Sequence, residues 1–152
     1  MKISVRVATI DDAGQIASFQ EQMAWETEEL KLDAVKIRAG IRAVFEDNSK
    51  GRYFIAEAAG RIAGSLLITY EWSDWRNSWV YWIQSVYVAP EFRRKGIYKT
   101  LYAHIQEIVN QKDDVAGIRL YVEQENHTAQ QTYASLGMDG QHYQLFEWMK
   151  LQ

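Results

Sequence analysis

The chain has 152 residues, with 17 Lys and Arg against 20 Asp and Glu and a formal net charge of −3. That length predicts one domain spanning 1–152, and so mild an acidic balance argues against general binding to nucleic acid or an anionic membrane. The absence of cysteine excludes disulfides, thiolate metal sites and a cysteine nucleophile. Three dispersed histidines (His104, His127 and His142) offer no metal-ligand spacing, and His127 and His142 read as surface residues. The opening MKISVRVATIDDA is too polar for a secretory signal, and no apolar run reaches the ~18 residues of a membrane span. A cytoplasmic protein is the expectation.

In chain order, Ile3, Val5 and Val7 alternate with polar or small neighbours, the period of a strand. Thr9 or Asp11 can cap a helix from Asp12 to about Trp25, with Ile16, Phe19 and Met23 at helical spacing. The acidic segment from Trp25 to Lys31 breaks that pattern. Asp33 to Asp47 reads as a second helix, with Val35, Ile37, Ile41, Val44 and Phe45 apolar. Arg52–Ala58 and Arg61–Trp72 read as strands joined at Ala59-Gly60, a hairpin signal. A polar turn, SDWRN, leads into a third long strand, Trp79 to Val88. Gly96 to Gln111 is predicted helical, with Ile97, Leu101, Ile105 and Ile108 on one stripe. A strand at Ile118–Val122 follows, and its pairing with Trp79–Val88 is expected to be parallel. Thr128–Leu136 reads as a short helix ended by Gly137, and Tyr143–Met149 as a last strand. The order β-α-α-β-β-β-α-β-α-β predicts a mixed α/β domain.

The stretch EFRRKGIYKTLYAHI carries the chemistry. The first N–H groups of a helix have no partner within it, and the dipole adds roughly half a positive charge at that end. Arg93, Arg94 and Lys95 placed there are unfavourable unless an anion is held, and Gly96 allows a ligand close to the backbone. The reading is a diphosphate cradled by amides; the bland alternative is a solvated basic loop. The spacing is neither a P-loop nor GxGxxG.

These residues resemble the [Q/R]-x-x-G-x-[G/A] signature of the GNAT superfamily of N-acetyltransferases, supplied here by Arg93-Arg94-Lys95-Gly96-Ile97-Tyr98. Tyr98 departs from the small residue of the pattern. The context is similar too. The preceding strand ends VYVAPEFR, IRLYVEQEN follows the helix, and A-x-x-x-Y-x-x-L-G-M runs from Ala129 to Met138, while VRVATIDDAGQIA resembles a GNAT first strand and helix. The resemblance covers essentially the whole chain. It implies an α/β (α+β) fold: a twisted, mostly antiparallel mixed sheet, splayed between its fourth and fifth strands and flanked by about four helices. It implies acetyl-CoA as co-substrate in the V-shaped opening. The pantetheine would pair with the backbone of Val86, Tyr87 and Val88, and the pyrophosphate would lie on the amides from Arg94 to Tyr98 beside the Arg93–Lys95 cations. No metal is implied.

The implied reaction is attack by an amine on the thioester. An alkyl amine has a pKa near 10.4, so a proton must be accepted from it at neutral pH. A backbone N–H near Val86 could stabilise the oxyanion. Tyr133 matches the family's tyrosine that protonates the leaving thiolate; an ordinary helix tyrosine is the alternative. Asn126 either bonds the pantetheine or caps the last helix. No carboxylate stands within Trp82–Val86; a water wire ending on Glu28, Glu71, Asp74 or Glu123 could serve as base, the alternative for each being an ordinary surface carboxylate. On the acceptor side, Glu26, Glu28 and Glu29 would favour a cationic amine, and Trp25, Trp72, Trp75, Trp79 and Trp82 could form an aromatic wall or simply pack. A small amine is expected rather than a basic protein tail. A non-catalytic acyl-CoA-binding module of the same fold is the competing class. The Trp72–Trp82 ribbon is an apolar patch that a second copy could cover in a homodimer.

Overall fold

The computed structural model describes residues 1–151. Two compact units divide the chain, the first running from Met1 to Arg119 and the second from Leu120 onward.

The first unit is a five-stranded sheet in the order β1 (Ile3–Val7), β2 (Arg52–Ala58), β3 (Arg61–Ser73), β4 (Ser78–Val88), β5 (Val115–Arg119), with three helices. The first three pairings are antiparallel and follow the chain, with β2–β3 and β3–β4 joined as hairpins. The β4–β5 pairing is parallel, as the intervening helix α3 (Ile97–Asn110) requires. Helices α1 (Ala13–Glu28) and α2 (Ala34–Glu46) join β1 to β2.

Local chemistry sets these boundaries. The Asp33 side chain accepts from the N–H groups of Val35 and Lys36 at 2.9 and 3.1 Å and starts α2. Asp12 receives the Thr9 N–H at 2.8 Å and a two-pronged bond from Arg6 at 2.7 and 2.9 Å, which fixes the passage from β1 into α1. Arg6 also pairs with Glu57 on β2. The Asp12 carboxylate is buried, and its bond from Arg6 holds it below its ordinary pKa despite that burial.

The two faces of the sheet are both covered. On one face Ile16 and Ala17 of α1 and Ile41 of α2 cluster with Ala8, Tyr53, Ile55 and Leu67, with Phe45 stacked on Tyr53 at 5.7 Å between centroids. Against α3, the opposite pleat presents Phe54, Leu66 and Ile68, met by the buried Ile97, Leu101 and Ile105. Each such aliphatic burial contributes about 1.5–3 kcal/mol. Gly64 leaves no room for a side chain between β3 and β4: a Cβ there would lie 2.7 Å from the Tyr87 carbonyl.

In the second unit, α4 (His127–Ser135) begins at Asn126, whose side chain accepts from the Ala129 N–H at 3.1 Å. It ends in a Schellman arrangement. Gly137, at φ +88°, donates to Ala134 O at 3.0 Å, and Met138 donates to Tyr133 O at 3.1 Å.

The structure corrects three sequence expectations. Helix α1 continues through Glu28, so the acidic stretch is its last turn rather than a break. Strand β5 lies at Val115–Arg119, not Ile118–Val122, because pairing with β4 begins at the buried Val115 opposite Trp79 and ends at Arg119 opposite Trp82. The expected strand at Tyr143–Met149 is absent. Its apolar residues fall in adjacent pairs, Leu145-Phe146 and Trp148-Met149, instead of alternating. Tyr143, Phe146 and Trp148 are largely exposed. Apolar and aromatic content favours a strand only where a neighbour pairs with it.

Candidate active site: a parted sheet and an uncapped helix

Strand β4 pairs with β3 along its length but with β5 only from Trp79 to Trp82. From Ile83 to Val88 no strand pairs with that edge among the described residues. The parting has a local cause. Leu67 is opposite Gln84 and Ser65 is opposite Tyr87, so β4 carries one extra residue there, a β-bulge. Ser85 adopts φ +56° within it. The buried Gln20 of α1 reaches the bulge, its Nε2 donating to Ser85 O at 3.4 Å.

Beyond Val88 the chain makes a 3₁₀ turn at Pro90–Phe92 and then enters α3. Arg94 at φ +62° and Gly96 at φ +85° turn the backbone sharply before the helix. No side chain caps the α3 N-terminus, so its first N–H groups face outward together with the positive end of the dipole. A Cβ on Gly96 would meet only Ile3 Cδ1, at 4.0 Å, so the space above the loop is open. Arg94 and Lys95 are exposed beside it.

Arg93 behaves differently from its two neighbours. Its Nε donates to Val88 O at 2.9 Å, its Nη2 donates to Glu26 Oε2 at 2.8 Å, and the guanidinium lies over the Tyr87 ring at 5.3 Å from the centroid. The Tyr87 hydroxyl donates to the other Glu26 oxygen at 2.7 Å. Burial pushes the Tyr87 phenol up to about 12, and the bond to Glu26 adds to the shift. Burial also pushes Glu26 up, but its bonds from Tyr87 and Arg93 outweigh that and leave it below the ordinary carboxylate value. This cluster ties the end of α1 to the end of β4. Glu26, expected to attract a cationic acceptor, is engaged internally.

A second polar group lies on the sheet face that carries α1 and α2. Glu71 Oε1 accepts from Arg119 Nη1 at 2.6 Å and from Trp82 Nε1 at 3.1 Å, while Gln84 Nε2 donates to Thr69 Oγ1 at 2.7 Å. Burial raises the Glu71 pKa, yet the bonds from Arg119 and Trp82 bring it below its ordinary value. A carboxylate so held is a weak proton acceptor.

The family model of the acetyltransferase (GNAT) family matches residues 10–138. The chain belongs to the GNAT family. A solved structure of a possible acetyltransferase from Clostridium difficile 630 is 40% identical, with a TM-score of 0.91 and 100% of both chains covered. A thialysine N-ε-acetyltransferase of Caenorhabditis elegans is 31% identical over 104 residues, 68% of this chain and 63% of that protein. The aminoglycoside N-acetyltransferase AAC(6')-Iy, solved with the bisubstrate analogue CoA-S-monomethyl-acetylneamine, shares the fold at 18% identity, TM-score 0.80, covering 99% of this chain and 100% of that one.

The remaining expected residues of this GNAT chain can be placed. Val86, Tyr87 and Val88 form the open-edged end of β4, although the Val88 carbonyl already accepts from Arg93. Gly96, Ile97 and Tyr98 form the helix entrance. Tyr98, the departure from the family pattern, is half-buried and stacks along the helix on Tyr102 at 6.3 Å, one turn later, where side chains four apart meet. Asn126 caps α4. Tyr133 lies on α4, half-buried. Among the carboxylates considered for the base, Asp74 is exposed and accepts from the Trp75 N–H, and Glu28 and Glu123 are exposed. Sequence reasoning missed the bulge at Ser85, which has no signature, and Gln20. Gln20 was detectable: it stands four residues after Ile16 on the inward stripe.

Proposed function

We propose that the chain is an acetyl-CoA-dependent N-acetyltransferase acting on a small amine. The observation that carries this reading is the parting of β4 from β5 beyond Trp82, directly before an uncapped helix entrance shaped by Arg94 and Gly96. An open strand edge accepts an extended amide-bearing chain by added-strand pairing. The helix entrance accepts a diphosphate. Bound there, acetyl-CoA would supply a thioester-activated acetyl group. The backbone of Val86 and Tyr87 would hold the pantetheine, and the amides from Arg94 to Tyr98, with the Arg94 and Lys95 side chains, the pyrophosphate. Arg93 acts one step back, positioning Val88 and the loop.

For the chemistry, a β4 N–H near Val86 donates to the carbonyl oxygen as negative charge develops on it. Tyr133, on the strength of the A-x-x-x-Y-x-x-L-G-M match, protonates the departing thiolate. The amine's proton leaves through water, since Glu71 is held by Arg119. A small acceptor agrees with the C. elegans relative, named for acetylating thialysine. Calorimetry with acetyl-CoA, CoA and dephospho-CoA tests the cofactor half. Micromolar binding weakened by Gly96→Glu is expected; no binding by folded protein would overturn the proposal. A thiol-release screen of amines tests the other half, with Tyr133→Phe expected to lower kcat by about 10²-fold or more while acetyl-CoA affinity stays unchanged. Labelling of basic peptides alone would refute the small acceptor.

A further inference from the structure

A cavity of about 160 Å³ lies between the sheet and the C-terminal half of α3. Its walls are the buried Phe54, Ile68 and Ile105, with Ile108 beside them. Tyr70 and Tyr81 close one side, edge to face at 5.1 Å between centroids. Arg52 and Lys112 complete the lining, both exposed. The proposed cofactor cradle is elsewhere: Ile108 follows Gly96 by twelve residues, about 18 Å along the helix axis.

Three features define what would fit. The volume is that of a cavity able to take one benzene ring, about 150 Å³, and the aliphatic and aromatic walls suit such a ring. The two phenols and the two cations make the rest of the lining polar, beside the apolar floor of Phe54, Ile68 and Ile105. Finally, neither Arg52 nor Lys112 is in an ion pair with a carboxylate among the described residues. The opposing charges are Asp114, which acts on Tyr81, and the negative end of α3, worth about half a charge. Asp113, next to Lys112 in the chain, is negative as well, but only the two cations line the opening itself, so an anion entering it meets Arg52 and Lys112.

We propose that this cavity is a second ligand site, separate from the cofactor cradle, for a small single-ring carboxylate. The ring fills the apolar space, and the carboxylate meets Arg52 and Lys112. The proposal does not rest on the acetyltransferase reading.

Benzoate is the probe, titrated into the full chain by calorimetry with ¹⁵N-detected NMR beside it, and benzyl alcohol is the neutral control. One-to-one binding near the millimolar range is expected, shifting the amides around Tyr70 and Tyr81 and persisting with acetyl-CoA present. Benzyl alcohol, and benzoate on the Arg52→Gln/Lys112→Gln double variant, should each bind about tenfold more weakly, the loss of a charge-assisted contact. Ile108→Trp, which fills the cavity from a half-buried position, should abolish binding. Near-UV circular dichroism checks that both variants keep the wild-type fold. Absence of benzoate binding, equal affinity for benzyl alcohol, or binding that survives Ile108→Trp would each overturn the proposal.

Discussion

Arg93, Arg94 and Lys95 read as three equivalent cations, and the structure divides their labour. Arg93 is bound to Glu26, Val88 and the Tyr87 ring; Arg94 and Lys95 are exposed, with the Lys95 ammonium 5.9 Å from the centroid of the Phe92 ring. Arg93→Gln and Glu26→Gln should each cost about 0.5–1 kcal/mol, since both side chains are over a third exposed and solvent screens them. The double variant should cost less than the sum, which a denaturant-based double-mutant cycle would measure. Arg94→Gln and Lys95→Gln should leave stability within about 0.5 kcal/mol and weaken acetyl-CoA binding instead. Asp12 contributes a pH dependence. Its pKa is lowered in the folded protein, so the stability it contributes is full above the ordinary value near 4 and is lost as pH falls through the lowered one. Asp12→Asn should therefore destabilise at pH 7, by about 2 kcal/mol, and converge with the wild type in strong acid. Urea midpoints measured against pH would show it.

At the level of elements, Gly64 is a tight junction between β3 and β4. Alanine there would press on the Tyr87 carbonyl and on Ile97 Cγ2. Gly64→Ala should lose about 2 kcal/mol, read as a lower thermal midpoint. The elements were legible where periodicity and capping agreed. Asp33 and Asp47 bracket α2 as expected, and Ala59-Gly60 turns the hairpin. They were illegible where pairing decides. Nothing in IRLYV says that β5 stops at Arg119; that depends on a bulge in β4, thirty-odd residues away. Likewise YQLFEWM has strand composition but forms no strand. For the site, glycine and charge at a helix start drew attention to the loop from Arg93 to Tyr98, and the part of that reading the structure bears on is the helix start itself, with Gly96 at the α3 N-cap. The Glu26–Tyr87–Arg93 contact was not legible, since it joins residues more than sixty apart.

At the scale of the molecule, the chain divides into two units while the family match runs across both, from residue 10 to 138. If 1–152 behaves as one domain, scanning calorimetry should show a single transition. Acetyl-CoA at a hundred times its dissociation constant adds about 2.7 kcal/mol and should raise that transition by about 5–10 °C. Two transitions, with only one of them shifted, would show that the units melt separately.

The uneven fastening of β4 gives one strand two clocks. Between Trp79 and Trp82 it is laced on both edges, and between Ile83 and Val88 on one. Amide protons on the open side of the second half should trade with deuterium quickly in the free protein, while those of the first half wait for larger openings. A ligand that completes the missing edge would slow the fast set and leave the slow one alone. The strand thus carries its own reference beside its own sensor, a few residues apart on the same backbone.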